Sequence, residues 1–227
     1  VDRRMFDPDG LKYDQVKSAF ARFDTHKGDL YSDGDVEITL GIPVGAAAPD
    51  DPVVIRSSGV HFDTTTGKAV TGRPTEFQYG RAEGRSVGAS YDPAWNDLRM
   101  LAEVELRWHP EGPGGKTMTV QAGDLVYKQD QAKVYLSPWS RLTRGSFVLE
   151  AAESVVTLEK DQIRRVDAVR ARGLDRYPAR TIDFSAGQLV MEFAERGVVQ
   201  KIVGEQDAKL VAVSAADRTS VTSEKIF

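Results

Sequence analysis

Gly84 to Trp108 reads GRSVGASYDPAWNDLRMLAEVELRW, and its second half decides the fold. Leu98, Met100, Ala102, Val104, Leu106 and Trp108 are apolar at strict alternate positions. Between them stand Arg99, Leu101, Glu103, Glu105 and Arg107, all but Leu101 charged. Alternation at period two is what a strand with one buried face requires. At about 3.3 Å per residue this arm would run about 36 Å, long for a strand. Upstream, Val87, Ala89 and Tyr91 begin a similar alternation, and Asp92-Pro93 with Asn96-Asp97 supply the turn. The stretch reads as a hairpin with one long arm.

The same pattern lies on both sides of it. Ala21 and Phe23 lead into a polar turn, and Val36, Ile38 and Leu40 alternate on the return. The phrase F-D-T-x-x-G occurs twice, from Phe23 to Gly28 and from Phe62 to Gly67. A second phrase, A-G-x-L-V, opens alternating stretches at Ala122 and Ala186. Strand-closing residues at Phe23, Phe62, Tyr91, Tyr127, Leu158 and Phe193 recur at steps of roughly 29 to 39 residues, an internal repeat. VTSEKIF starts one more unit at the end. Pro43, Pro49, Pro52, Pro110 and Pro113 fall at joints, as strands require. Asp161 to Arg172 is the best helical candidate, yet Val166, Ala168 and Val169 fit a bulged strand as well. The expectation is an all-β chain of successive antiparallel hairpins, roughly fourteen strands in a single repetitive domain spanning residues 1–227.

At 227 residues and 41% apolar the chain can build a core. A net charge of −4 argues against a nucleic-acid binder held by phosphate contacts. Cysteine is absent, which removes disulfides, thiolate metal sites and thiol nucleophiles. No apolar run approaches the ~20 residues of a membrane-spanning helix. The chain begins with Val and stops in mid-pattern, so it is read as a piece truncated at both ends.

Motifs of catalysis do not survive their context. Gly84-Arg85-Ser86-Val87-Gly88 matches the nucleophile elbow, but a strand follows it where the elbow needs a helix. Gly112 to Thr117 resembles the end of a phosphate-binding loop, but Pro110 occupies the place of its first glycine. Asp7-Pro8-Asp9-Gly10 lacks the remaining ligands of a calcium loop and reads as a turn. His26, His61 and His109 are widely separated and give no metal spacing. Glu103, Glu105 and Glu192 sit at outward positions. No catalytic residue, metal or cofactor is expected. Arg164, Arg165, Arg170, Arg172, Arg176 and Arg180 read as a solvated, edge-protecting face, with bidentate binding of phosphate or carboxylate as the alternative.

The hairpin unit resembles the OstA-like periplasmic lipopolysaccharide-transport proteins, the LptA and LptC family. Phe62 to Gly67, Gly34 to Ile38, Glu103 to Leu106 and Ala122 to Tyr127 carry the resemblance, and Gly84 to Asp92 is closer to the LptC branch. It spans residues 11–227 through short motifs whose weight lies in repetition. The loop Ile42 to Pro52 and the glycine-rich loop near Gly112 are longer than the unit needs. The resemblance implies an elongated β-taco or β-jellyroll that holds acyl chains of lipopolysaccharide on its apolar inner faces. It implies no enzyme activity and a periplasmic location, with an inner-membrane anchor outside these residues as one form. Other OstA-like components would join by edge-strand pairing, and copies of the chain could join end to end. The apolar faces nominate Phe23, Phe62, Phe77, Tyr91, Leu98, Met100, Val104, Leu106, Trp108, Tyr127, Leu136, Leu189, Met191 and Phe193 as groove lining. A closed β-solenoid or sandwich scaffold for polysaccharide or protein is the competing reading.

Overall fold

A computed structural model describes residues 1–6, 9–26, 28–45, 52–109, 116–160, 162–194 and 198–227. Residues 46–51 of the loop Ile42 to Pro52, Gly112 to Gly115 of the glycine-rich stretch and Asp7-Pro8 of the turn Asp7 to Gly10 lie outside the described residues, as do Pro49, Pro110 and Pro113. The described residues are almost wholly strand, as the alternation requires. Two compact units divide the chain: Val1–Leu106 with Lys128–Asp130, and Arg107–Tyr127 with Gln131–Phe227.

The first unit contains β1 (Asp2–Phe6), β2 (Lys12–Ser18), β3 (Arg22–Asp24), β4 (Asp29–Pro43), β5 (Val53–Asp63), β6 (Ala69–Tyr79), β7 (Ala82–Asp92), β8 (Asp97–Met100) and the start of β9 (Val104–Trp108). Its antiparallel order runs β1, β2, β4, β5, β6, β7, β8, with β3 beside the opening of β4. One face is buried: it carries Val36, Ile38 and Leu40 on β4, Ile55 and Phe62 on β5, Phe77 on β6 and Tyr91 on β7. Four inter-strand steps separate β2 from β7, about 19 Å on a flat sheet. Yet the Tyr91 hydroxyl donates to Asp14 Oδ2 at 3.0 Å. The sheet must therefore curl over its apolar face.

The curl has a local cause. Register shifts fall between Ser32 and Asp35 on β4, Arg56 and His61 on β5, and Thr71 and Pro74 on β6. Gly59 and Gly88 take positive φ, 58° and 82°, on β5 and β7. A bulge bends its strand and adds twist; bulges on neighbouring strands line up here as a crease. Carbonyls freed from the ladder find hydroxyl donors: Thr71 to Ser58 O at 2.7 Å and Ser86 to Gly88 O at 3.0 Å. Ser57 and Thr75 share a hydrogen bond of 3.0 Å on the same line. Buried carbonyls need such partners.

The second unit contains the rest of β9, nearly all of β10 (Met118–Lys128), then β11 (Lys133–Arg144), β12 (Phe147–Ala151), β13 (Glu153–Glu159), β14 (Gln162–Arg176), β15 (Arg180–Phe193), β16 (Val199–Ser214) and β17 (Arg218–Ile226). β12 and β13 lie end to end between β11 and β14, and β15, β16 and β17 follow antiparallel. It is creased too. The line passes Pro138, Ala152, Arg170 with φ 51°, Gly187, and Gln206 and Asp207 with φ 63° and 59°. A Cβ on Gly187 would stand 2.8 Å from the Gln206 Cβ, and one on Gly123 2.7 Å from Pro138 Cδ. Both A-G-x-L-V phrases thus put their glycine on the crease.

The creases correct several sequence expectations. The arm from Leu98 to Trp108 is not one strand. Leu101 to Glu103 break it into β8 and β9, with Glu103 at φ 51°. Interruptions likewise divide β2 from β3 and β12 from β13, so among the described residues seventeen strands occupy fourteen rows. Two prolines sit inside strands, Pro74 on β6 and Pro138 on β11. Both fall on a crease, where the ladder already lacks bonds. The helical candidate Asp161 to Arg172 is strand from Gln162 on, within β14, and Asp161 lies outside the described residues.

Several turns close in a common way. Gly28 N–H donates to Asp24 O at 2.9 Å, and Gly67 N–H to Asp63 O at 2.8 Å. Both glycines have φ above 70°, which favours residues without Cβ. Each aspartate accepts the N–H two residues on, from His26 at 2.9 Å and Thr65 at 2.8 Å. Thr64 N–H then reaches Gly28 O at 3.0 Å, joining one turn to the other. Gln129 N–H to Asn96 O, and Leu158 N–H to Ala132 O, continue the habit.

Hydrogen bonds from the Thr66 side chain, then from the Thr66 and Thr65 backbone, hold the Asp63 carboxyl below its ordinary range. A depressed pKa stabilises the fold above the unfolded value, and the contribution is lost as pH falls through the folded one. The Thr65 and Thr66 amide signals are expected to keep their folded shifts at pH 4 and lose them only in stronger acid. An NMR pH titration checks this, with Asp63→Asn abolishing the transition.

Candidate functional site: the apolar interiors

Of the fourteen nominated residues, Phe62, Phe77, Tyr91, Leu98, Met100, Val104, Trp108, Leu136, Leu189, Met191 and Phe193 are buried, while Leu106 and Tyr127 are half-buried. Phe23 is not among them. It is 54% exposed on β3, a three-residue strand whose whole length faces solvent. In the first unit the interior collects Phe62, Phe77, Tyr91, Leu98, Met100 and Val104; in the second, Trp108, Leu136, Leu189, Met191 and Phe193 lie with Met118, Leu125 and Val166. Met100 and Met191 have no exposed surface. A thioether on an unbranched stem adapts to irregular or changing neighbours.

One cavity of the first interior, lined by Ile38, Ile55, Val60, Ala89, Tyr91 and Leu98 among others, has a volume of ≈ 20 Å³. That admits about one water. An acyl chain enters only if the walls part.

Asp14 is the polar residue that sequence reading missed. It is buried on β2, and it accepts from Gly41 N–H at 2.8 Å and from the Tyr91 hydroxyl at 3.0 Å. Its signal was an aspartate between Tyr13 and Val16 on an alternating strand, an acid on the apolar side.

Two glycines opposite phenylalanines shape the walls. Gly84 pairs with Phe77 in the first unit and Gly173 with Phe184 in the second. In each, the ring lies over the bare backbone, a known way to shield a strand glycine. Ser86, the central residue of the elbow-like motif, is buried and donates to Gly88 O and towards Met100 Sδ at 3.2 Å.

At the last strands the inner face is uncovered. Phe184 is paired with Leu210 and Leu210 with Val221. Phe184 is buried, Leu210 half-buried and Val221 43% exposed. Outer faces carry charge, with Arg56–Glu37 at 3.0 Å, Arg85–Glu105 at 2.9 Å and Lys68–Asp92 at 2.8 Å. Such exposed pairs are worth about 0–1 kcal/mol each. Among the described residues no group of three His, Asp or Glu is placed to hold a metal, and no helix is long and apolar enough to cross a membrane.

No family model matches the sequence, and no curated protein matches it. Among solved structures the chain is similar to LptH of Pseudomonas aeruginosa, described as the LptA-homologous periplasmic component of the conserved lipopolysaccharide transport device. The alignment has 13% identity and a TM-score of 0.44, and covers 51% of this chain and 82% of that one.

Proposed function

We propose that the chain is a periplasmic lipopolysaccharide-binding bridge protein without catalytic turnover, holding acyl chains on its apolar inner faces while the sugars stay in water. The observation that carries this is one-sided burial along the long strands β4 to β7 of the first unit, whose sheet curls over its apolar side. Each acyl methylene moved out of water gains about 0.8 kcal/mol, so an apolar lining binds lipid without special chemistry. The uncovered inner face of β16 and β17 extends that surface to the end of the sheet, and β17 suits edge pairing with another OstA-like component or a second copy.

The ≈ 20 Å³ cavity favours a second reading, a closed scaffold for polysaccharide or protein. One experiment separates them. A photoreactive residue at Met100 should trap lipopolysaccharide in cells, while one at Glu103 should not. Labelling from Glu103 alone favours the scaffold.

A further inference from the structure

The arginine-rich stretch of β14 does more than line a solvated face. Arg164 pairs with Glu159 at 3.1 Å, Arg165 with Asp167 at 2.6 Å, and Arg180 lies 5.2 Å over the Tyr177 ring. Arg170 differs. It makes no hydrogen bond or ion pair among the described residues, and it occupies a left-handed backbone position, φ 51°. That conformation belongs to the crease, and a bulge there re-aims the side chain out of the regular alternation of β14.

Arg170 lines a pocket of ≈ 410 Å³ on the second unit, together with Gln121, Trp139, Arg141, Glu150 and Arg172. That volume lies within the range of small-molecule sites. The register explains the assembly: Arg141 stands opposite Glu150, and Glu150 opposite Arg172, forming one row across β11, β12 and β14. Arg172 grips Glu150 Oε2 through Nε at 2.7 Å and Nη2 at 2.6 Å, while Arg141 is 3.7 Å from Oε1. Three guanidiniums and one carboxylate line the pocket, and an anion would restore balance.

Trp139 supplies the other half. It is 47% exposed, and no cation stacks on it among the described residues. It is seated by the crease: a Cβ on Gly123 would stand 3.2 Å from the indole nitrogen. An open indole face is a platform for an apolar ring surface with a polar rim. A guanidinium fork matches phosphate or carboxylate bidentately.

We propose that this pocket binds a sugar bearing a phosphate or carboxylate, its ring on Trp139 and its anionic group between Arg170 and Arg141. A bare anion would leave the indole unused, and a neutral sugar would leave Arg170 unpaired. The site is on the outer face and is independent of the acyl-binding reading.

Titration calorimetry of the whole chain tests it, with glucose 6-phosphate and glucuronate as probes. Glucose, inorganic phosphate and adenosine monophosphate are the comparison ligands. At least one probe should bind saturably and more tightly than glucose or phosphate. Trp139→Ala and Arg170→Gln should each weaken it about tenfold or more, with circular dichroism unchanged. Arg170→Lys should restore only part, since it keeps charge without the fork. Absence of saturable binding by both probes overturns the proposal, as does unchanged affinity in either variant. Phosphate binding as tightly as glucose 6-phosphate reduces the site to an anion patch, and tighter binding of the nucleotide makes it a nucleotide site. Either overturns the sugar assignment. Acyl crosslinking from Met100 is unaffected by these variants whichever way they fall.

Discussion

Gly173→Ala lowers the unfolding free energy of the second unit by about 2–3 kcal/mol, the upper range for forcing extra volume into a packed site. A Cβ there would fall 2.1 Å from Phe184 Cζ and 2.4 Å from Cε2, well inside contact, so the whole ring must leave its place over the strand. Phe184 also stacks on Phe147 with centroids 6.1 Å apart, and displacing it disturbs that pair. Gly84→Ala meets Phe77 Cε1 at 2.3 Å and Glu105 O at 2.8 Å, and should cost the first unit a similar amount. Urea unfolding followed by tryptophan fluorescence in a Trp95→Phe background reads the second unit, through Trp108 and Trp139. Trp95, in the first unit, reads the other once Trp108 and Trp139 are replaced by Phe. Adding Phe184→Leu to Gly173→Ala should cost less than the two changes separately, because the clash is with the ring. Gly34→Ala is the control. Nothing lies within 4 Å of its Cβ and its φ is ordinary, so it should be neutral or stabilise by up to about 1 kcal/mol. Equal losses at Gly34 and Gly173 would show that strand glycine entropy, not the ring, sets the effect.

Asp14→Ala is the second large effect, a loss of about 3 kcal/mol. Removing the carboxylate strands the Gly41 N–H and the Tyr91 hydroxyl in an apolar interior, and each unpaired group costs about 1–3 kcal/mol. Tyr91→Phe removes one donor and keeps the ring, so it should cost about 1 kcal/mol. The double variant should cost less than the sum, since the two side chains share one hydrogen bond. Additive losses would mean that Asp14 acts through Gly41 alone.

Strand rows were legible from alternation because a one-sided sheet writes its buried face directly into the sequence. Interruptions were not, since a bulge adds one residue and leaves local composition unchanged. Leu98 to Trp108 shows the difficulty: its apolar residues keep one parity straight through the break at Leu101 to Glu103. The A-G-x-L-V phrases did hold the information. Ala122 and Leu125 are both buried, as are Ala186 and Leu189. A spacing of three cannot place two residues on one face of a regular strand, so the phrase marks a switch of parity at its glycine. Burial of the nominated lining followed from hydrophobicity, while Phe23 failed because nothing in F-D-T-x-x-G tells that β3 is three residues long. Asp14 and the arginine pocket depend on contacts between strands far apart in the chain, and only the curl and the register bring those together.

The crease has a mechanical consequence. A curved sheet with an unbroken ladder can be flattened only by straining every row of backbone hydrogen bonds. Here the bend is concentrated in a line of residues that have already left the ladder and whose carbonyls are held by hydroxyls instead. Widening the first unit needs rotation at those few positions and the re-seating of Ser and Thr side chains, with the β-ladder on either side intact. Its main cost is apolar surface uncovered between the walls, the same surface that an acyl chain would cover again.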